Sequence, residues 1–207
     1  MTHRLTPFEI MCRLVAFPTV SSETNIPLID WVAEYLASHG IESHRYIDPE
    51  QPKHALFAHV GPWREGAVVL SGHTDVVPVA NQPWSSDPFE VVEREGKYFG
   101  RGTVDMKGFD ALAIWALVEA RYMSIGRPLQ IALSFDEEIG CTGAPPMIEA
   151  MQPVLPKGAA VIVGEPSMMR AVTGHKAGMG FDTLVQGFEI HSSLMDRGVN
   201  AVMYGAK

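Results

Sequence analysis

Apolar positions recur at helical spacing near the start of the chain, then give way to short runs that are apolar throughout. Thr6-Pro7-Phe8-Glu9 has the form of a helix start. Thr6 can cap, Pro7 suits the first helical position, and Glu9 can reach back to complete a capping box. Ile10, Met11, Leu14 and Val15 follow on one face. A second helix is predicted from about Thr24 to His39, burying Ile29, Val32, Ala33 and Leu36, with Gly40 placed to end it.

The period then changes. Ala67–Ser71, Leu129–Phe135 and Ala159–Val163 are apolar on both faces, which fits strands of a sheet covered on both sides by helices. Asp105 to about Tyr122 and Gly143 to Met151 read as helical connections. Glu90–Glu93 and Lys97–Phe99 flank Arg94-Glu95-Gly96, a hairpin turn. The alternation predicts an α/β fold with a mixed, largely parallel sheet flanked by helices. Phe181–Gln186 alternates like a half-exposed strand, and Asn200–Lys207 begins another helix. About thirty residues of that kind bury too little surface to form a core. A second domain is therefore expected to begin near Met179, with residues 1–178 forming the first domain and 179–207 the opening of the second.

Composition narrows the class. Of 207 residues, 46% are hydrophobic and 19% charged, the balance of a soluble globular protein. The net charge of −8 argues against a nucleic-acid partner. No stretch is long and apolar enough to span a bilayer, and the first residues lack the apolar core of a secretory signal. The only cysteines, Cys12 and Cys141, have neither disulfide-framework nor metal-type spacing. Both are expected to be small buried hydrophobes in a cytoplasmic protein. His3, His39 and His44 are expected at the surface, Met106 and the Met168-Met169 pair in packing, and His175 in a loop with its role open.

Candidate chemistry lies just past the apolar runs. The first leads into Gly72-His73-Thr74-Asp75, the second into Asp136-Glu137-Glu138 and the third into Gly164-Glu165-Pro166. In open α/β sheets ligands bind in the crevice beyond the carboxyl ends of the strands. A fourth acid, Asp105 in Gly100-Arg101-Gly102-Thr103-Val104-Asp105-Met106-Lys107-Gly108, opens a helix, where the dipole favours a carboxylate. Histidine with several carboxylates and no thiolate suits zinc or another borderline divalent ion. The surplus of carboxylates points to two ions and water activation for hydrolysis. Asp75, two residues past His73 on an extended chain, is placed to hold that ring's second nitrogen. Glu137 and Glu138 point apart, so one can be a ligand and the other a base; spacing leaves open which is which.

Ser71–Pro78, Gly100–Gly108, Asp136-Glu137-Glu138 and Gly164–Ser167, in that order, resemble the M20 metallopeptidase family. The resemblance implies a zinc-exopeptidase-like catalytic domain followed by a small α+β lid and dimerisation domain. It implies two zinc ions, with cobalt as a substitute: His73 and Glu165 on one, Glu138 on the other, and Asp105 bridging both. Glu137 becomes the general base, Asp75 orients His73, and the Asp105-Met106 peptide is expected to be cis. His191, in His191-Ser192-Ser193, matches a lid histidine that reaches a partner subunit's site. The family's remaining second-metal histidine falls in a C-terminal part that is not in this chain. Trp84–Phe89 is similar to both the deacetylating and the desuccinylating branches of the family, and Glu165–Lys176 is more similar to the deacetylating branch, for which a homodimer is expected. That branch implies N-acetylornithine as substrate, within arginine synthesis. Succinyl-diaminopimelate, another acylated amino acid, a dipeptide, or a non-catalytic metal-binding role are the alternatives.

Overall fold

Helix α1 (Pro7–Val15) forms as its capping pattern requires: the Glu9 N–H donates to Thr6 Oγ1 and the Thr6 N–H to Glu9 Oε2. In the computed structural model, which describes residues 3–174 and 180–207, α1 lies in the first of two compact units. One unit runs to Met169 and the other starts at Arg170. Met179, where the second domain is expected to begin, and His175 lie outside the described residues.

The first unit is built on a five-stranded mixed sheet in the order β1-β2-β6-β3-β7. Its strands are β1 (Ser43–Ile47), β2 (His54–Val60), β3 (Ala67–His73), β6 (Leu129–Ser134) and β7 (Gly158–Val163). The β6, β3 and β7 strands are parallel, and β1 and β2 add antiparallel at one side. The remaining elements are α2 (Ile26–Ser38), the hairpin β4 (Val92–Arg94) and β5 (Lys97–Phe99), α3 (Lys107–Arg121) and α4 (Ala144–Met151). The hairpin turns on Glu95 and Gly96, both at positive φ, the backbone of a two-residue turn that matches strand twist.

Side chains alternate along each strand, and the two faces bury different helices. Leu56, Ala58, Ile131 and Leu133 pack with Ile10 and Leu14 of α1, Leu28, Val32 and Leu36 of α2, and Ile114 and Leu117 of α3. Ala55, Phe57 and Ala132 face the other way, onto Phe135, Met147 of α4 and Leu155. The α/β layering expected from the period change is thus present, with β1 an addition that periodicity did not single out.

Several expectations fail for physical reasons. Two-sided cover does not extend to β7, where Val161 and Val163 are 61% and 60% exposed. Among the described residues this strand is an edge that pairs only with β3, and neither core cluster includes one of its residues. His39 is buried, not at the surface, because its ring packs edge-on against Tyr35 and its Nδ1 lies 2.9 Å from the Tyr122 hydroxyl. Cys141 is exposed in a turn with positive φ, and Met168 and Met169 are exposed as well.

In the second unit, Phe181–Gln186 is not a strand: among the described residues it has no ladder partner, and Phe181 and Leu184 are exposed. A lone antiparallel bridge joins Phe188 to Val199. The expected last helix does form as α5 (Ala201–Gly205), capped by Asn200, whose Oδ1 accepts from the Met203 N–H. No helix among the described residues is long and apolar enough to cross a membrane.

Candidate metal centre

Three loops at the carboxyl ends of β3, β6 and β7, together with the turn before α3, converge on one imidazole. His73 ends β3 and is 1% exposed. Its Nε2 lies 3.1 Å from Asp105 Oδ1, 3.5 Å from Glu165 Oε1 and 3.8 Å from Glu137 Oε2. Potential ligand atoms fall into two overlapping groups, His73-Asp105-Glu138 and His73-Glu137-Glu165, with all atoms of a group within 4.8 Å of one another. The four residues expected to bind metal, and the expected base, are therefore neighbours in space. Asp105 groups with Glu138, and Glu137 with Glu165.

Close backbone approach holds the loops in place. A Cβ on Gly72 would sit 2.0 Å from Asp110 Oδ1, so only glycine lets the strand carrying His73 lie on the first turn of α3. Likewise a Cβ on Gly164 would fall 1.9 Å from the Phe109 ring, which fixes the turn that presents Glu165. The Asp105-Met106 peptide is cis, as the resemblance implied.

Asp75 is the organiser beneath the ring. His73 Nδ1 lies 3.0 Å from the Asp75 carbonyl oxygen and 3.3 Å from Asp75 Oδ1. The same carboxylate accepts from the Ser21 hydroxyl at 2.6 Å and from the Glu137 and Glu138 N–H groups at 3.1 and 3.4 Å. Its expected partnership with His73 is there, and with it a second one, to the backbone of the acidic pair.

The electrostatics describe a cluster short of positive charge. Burial alone would lower the His73 pKa, but hydrogen bonding and charge from Asp75, then Asp110 and Glu165, lift it to about 10. Glu138 is raised by burial and then by Asp105. Glu165 is raised by burial, with Asp105 and Glu137 adding to it against the pull of His73. Asp75 stays below the ordinary carboxylate range: its bonds from His73 and Ser21 outweigh burial. Oxygen donors around one imidazole, holding a proton where a cation would serve better, are the donor chemistry of a hard or borderline divalent ion.

Sequence reasoning passed over four residues here. Ser21 and Lys53 lie far along the chain and had no motif. Asp136 opens the acidic run but had no role of its own, and it is 1% exposed and paired with buried Lys53. Cys141 Sγ sits 3.5 Å from Glu137 Oε1, a contact that the four-residue separation in a turn could have flagged. His191 belongs to the second unit, where its Nδ1 accepts from the Ser193 N–H and lies 2.8 Å from the Ser193 hydroxyl.

Residues 69–202 match the model of peptidase family M20/M25/M40. The chain belongs to this family. Among M20 relatives, an acetylornithine deacetylase of Buchnera aphidicola is 32% identical over 200 residues, covering 94% of this chain and 51% of the relative. Another, of Photorhabdus laumondii, is 37% identical over 210 residues, covering 98% and 54%. The chain thus spans about half the length of the curated relatives it matches. Human carnosine dipeptidase 1 superposes with a TM-score of 0.64 at 21% identity, over 76% of this chain and 37% of that one. A dinuclear metal-binding M20 peptidase of Bacillus subtilis does so at 0.53 and 19%, over 76% and 41%. At such identities these two show the shared fold alone.

Proposed function

We propose that the complete protein is a metal-dependent amidohydrolase that cleaves an N-acyl amino acid, N-acetylornithine foremost, to the free amino acid and a carboxylate. The observation that carries this reading is the single buried imidazole ringed by carboxylates from three separate segments. The similarity to two acetylornithine deacetylases supports the choice of substrate.

His73 and Glu165 would hold one divalent ion, Glu138 the other, with Asp105 between them; zinc is the ion proposed. Such ions supply polarisation of the scissile carbonyl and a lowered pKa for an attacking water. Glu137 takes the proton of that water and delivers it to the departing amine. Water adds to the acyl carbon, the C–N bond breaks, and the proton ends on the amine nitrogen. Asp75 fixes the His73 ring through Nδ1 and aligns the backbone of both acids. His191 is assigned to the site of a partner subunit in a homodimer, where it would steady the negative oxygen of the tetrahedral intermediate. A cytoplasmic location and a place in arginine synthesis belong to the same reading.

The test is hydrolysis by the full-length protein of N-acetylornithine, succinyl-diaminopimelate and a dipeptide, with and without Glu137→Gln. N-acetylornithine is expected to turn over fastest, and Glu137→Gln to lose turnover while keeping its metal. Full activity in Glu137→Gln removes the base; a preference for another substrate reassigns the specificity.

A further inference from the structure

Lys53 immediately precedes β2 and is 4% exposed. Its Nζ pairs with Asp136 Oδ1 and donates to the Ser21 carbonyl oxygen at 2.5 Å. Asp136 stands directly before Glu137 and Glu138 and takes the left-handed conformation, φ 58°, which aspartate and asparagine adopt more readily than other residues with a side chain. Gln51 Nε2 also donates to the Asp136 carboxylate, at 3.4 Å. Ser21 is the common point: its carbonyl accepts from Lys53, and its hydroxyl donates to the Asp75 carboxylate that receives the Glu137 and Glu138 N–H groups. The acidic pair is thus tethered twice, through its own backbone by Asp75 and through the preceding side chain by Lys53.

We propose that Lys53 is a positioning residue of the metal centre: by pinning Asp136 to Ser21 it sets where Glu137 and Glu138 stand. This inference rests on the roles given above to those two glutamates. A buried ion pair is weak evidence of stabilisation, since well-packed apolar groups often replace it at no loss. What an apolar pair could not reproduce is the fixed direction of the Asp136 side chain, and with it the course of the loop.

Lys53→Met alone leaves Asp136 buried without a counter-charge and invites unfolding, so the decisive variant is Lys53→Met with Asp136→Asn. It removes both charges, and asparagine tolerates the left-handed backbone. Lys53→Arg keeps the charge. In the metal-free full chain, the Glu137 and Glu138 amides of the double variant are expected to exchange hydrogen at least about tenfold faster than wild type, with the β3–β6 ladder unchanged. Lys53→Arg is expected to restore most of that protection. On titration with cobalt(II) alone, the double variant should bind about tenfold more weakly than wild type. Wild-type exchange at both amides, or equal acceleration throughout the sheet, overturns the proposal. A wild-type protein that binds no cobalt sinks the metal reading instead, while the exchange comparison still decides the role of Lys53.

Discussion

Replacing Gly72 with alanine tests the packing that delivers His73 to its neighbours. The new methyl would lie 2.0 Å from Asp110 Oδ1 and 3.0 Å from Met106 Cε, against an optimal non-bonded separation of roughly 3.5 Å. Neither obstacle has room to withdraw: Asp110 is 1% exposed, Met106 is 0% exposed, and both sit where α3 begins against the sheet. Overpacking of a well-filled interior typically costs about 1–3 kcal/mol, and the depth of this overlap places Gly72→Ala near about 3 kcal/mol. With an m-value of about 2 kcal/mol/M in urea, the midpoint of the metal-free chain should fall by about 1.5 M. Asp110→Ala removes the obstructing oxygens, so the double variant Gly72→Ala/Asp110→Ala should recover about 2 kcal/mol of that loss as a coupling energy. An unchanged midpoint for Gly72→Ala, or a double variant no more stable than the single one, would refute this account of the strand's approach to the helix.

Two further outcomes follow from burial. Among the described residues the Asp110 carboxyl has no hydrogen-bond partner for either oxygen, and burial pushes it from an ordinary 3.8 up to about 8. The folded state keeps a proton that the unfolded chain sheds, so this group costs stability as pH rises through that interval. The stability advantage of Asp110→Asn over wild type in urea titrations should grow from about pH 4 to about pH 8 and then level; a constant difference contradicts the assignment. Ile131 and Ile162 both register against Leu70, but Ile131 is 0% exposed and Ile162 50%. Ile131→Ala should cost about 3 kcal/mol and Ile162→Ala under about 1 kcal/mol, and similar values for the two would mean that β7 is covered.

Local rules carried the sequence reading furthest where the interaction itself is local. The capping box at Thr6 and Glu9, the helix opening at Asn200 and the Glu95-Gly96 turn all depend on residues within four positions, and all formed as the pattern requires. The apolar runs also revealed where the loops bearing His73, Glu137, Glu138 and Glu165 would emerge, because a strand has a defined carboxyl end. Periodicity could not report which strand would stand at the edge. Ala159–Val163 reads like the buried runs, and only its place in the strand order explains its exposure. Phe181–Gln186 shows the same limit, since alternation makes a strand only when a partner supplies the ladder.

The site divides along similar lines. Its charged groups were visible as His73, Glu137, Glu138 and Glu165, just past apolar runs, and as Asp105, in a glycine-bearing segment that opens a helix. The layer behind them was not. Ser21, Lys53 and Asp136 meet through contacts spanning 32 to 83 positions, and nothing in the spacing of a lone serine or lysine marks such a meeting. His39 misled for a related reason: it ends a helix, where solvent is the usual neighbour, but two tyrosines enclose it.

His73 is proposed to anchor a divalent-metal centre where both carboxylate groups meet. Zinc content per chain, measured by plasma mass spectrometry after equilibration with micromolar zinc and exhaustive dialysis, tests it directly when wild type is compared with His73→Ala. Bound zinc is expected in the wild type, and its loss in a His73→Ala protein that remains folded by circular dichroism. A wild-type chain without zinc, or a His73→Ala chain that retains it in full, rules out a metal anchored by His73.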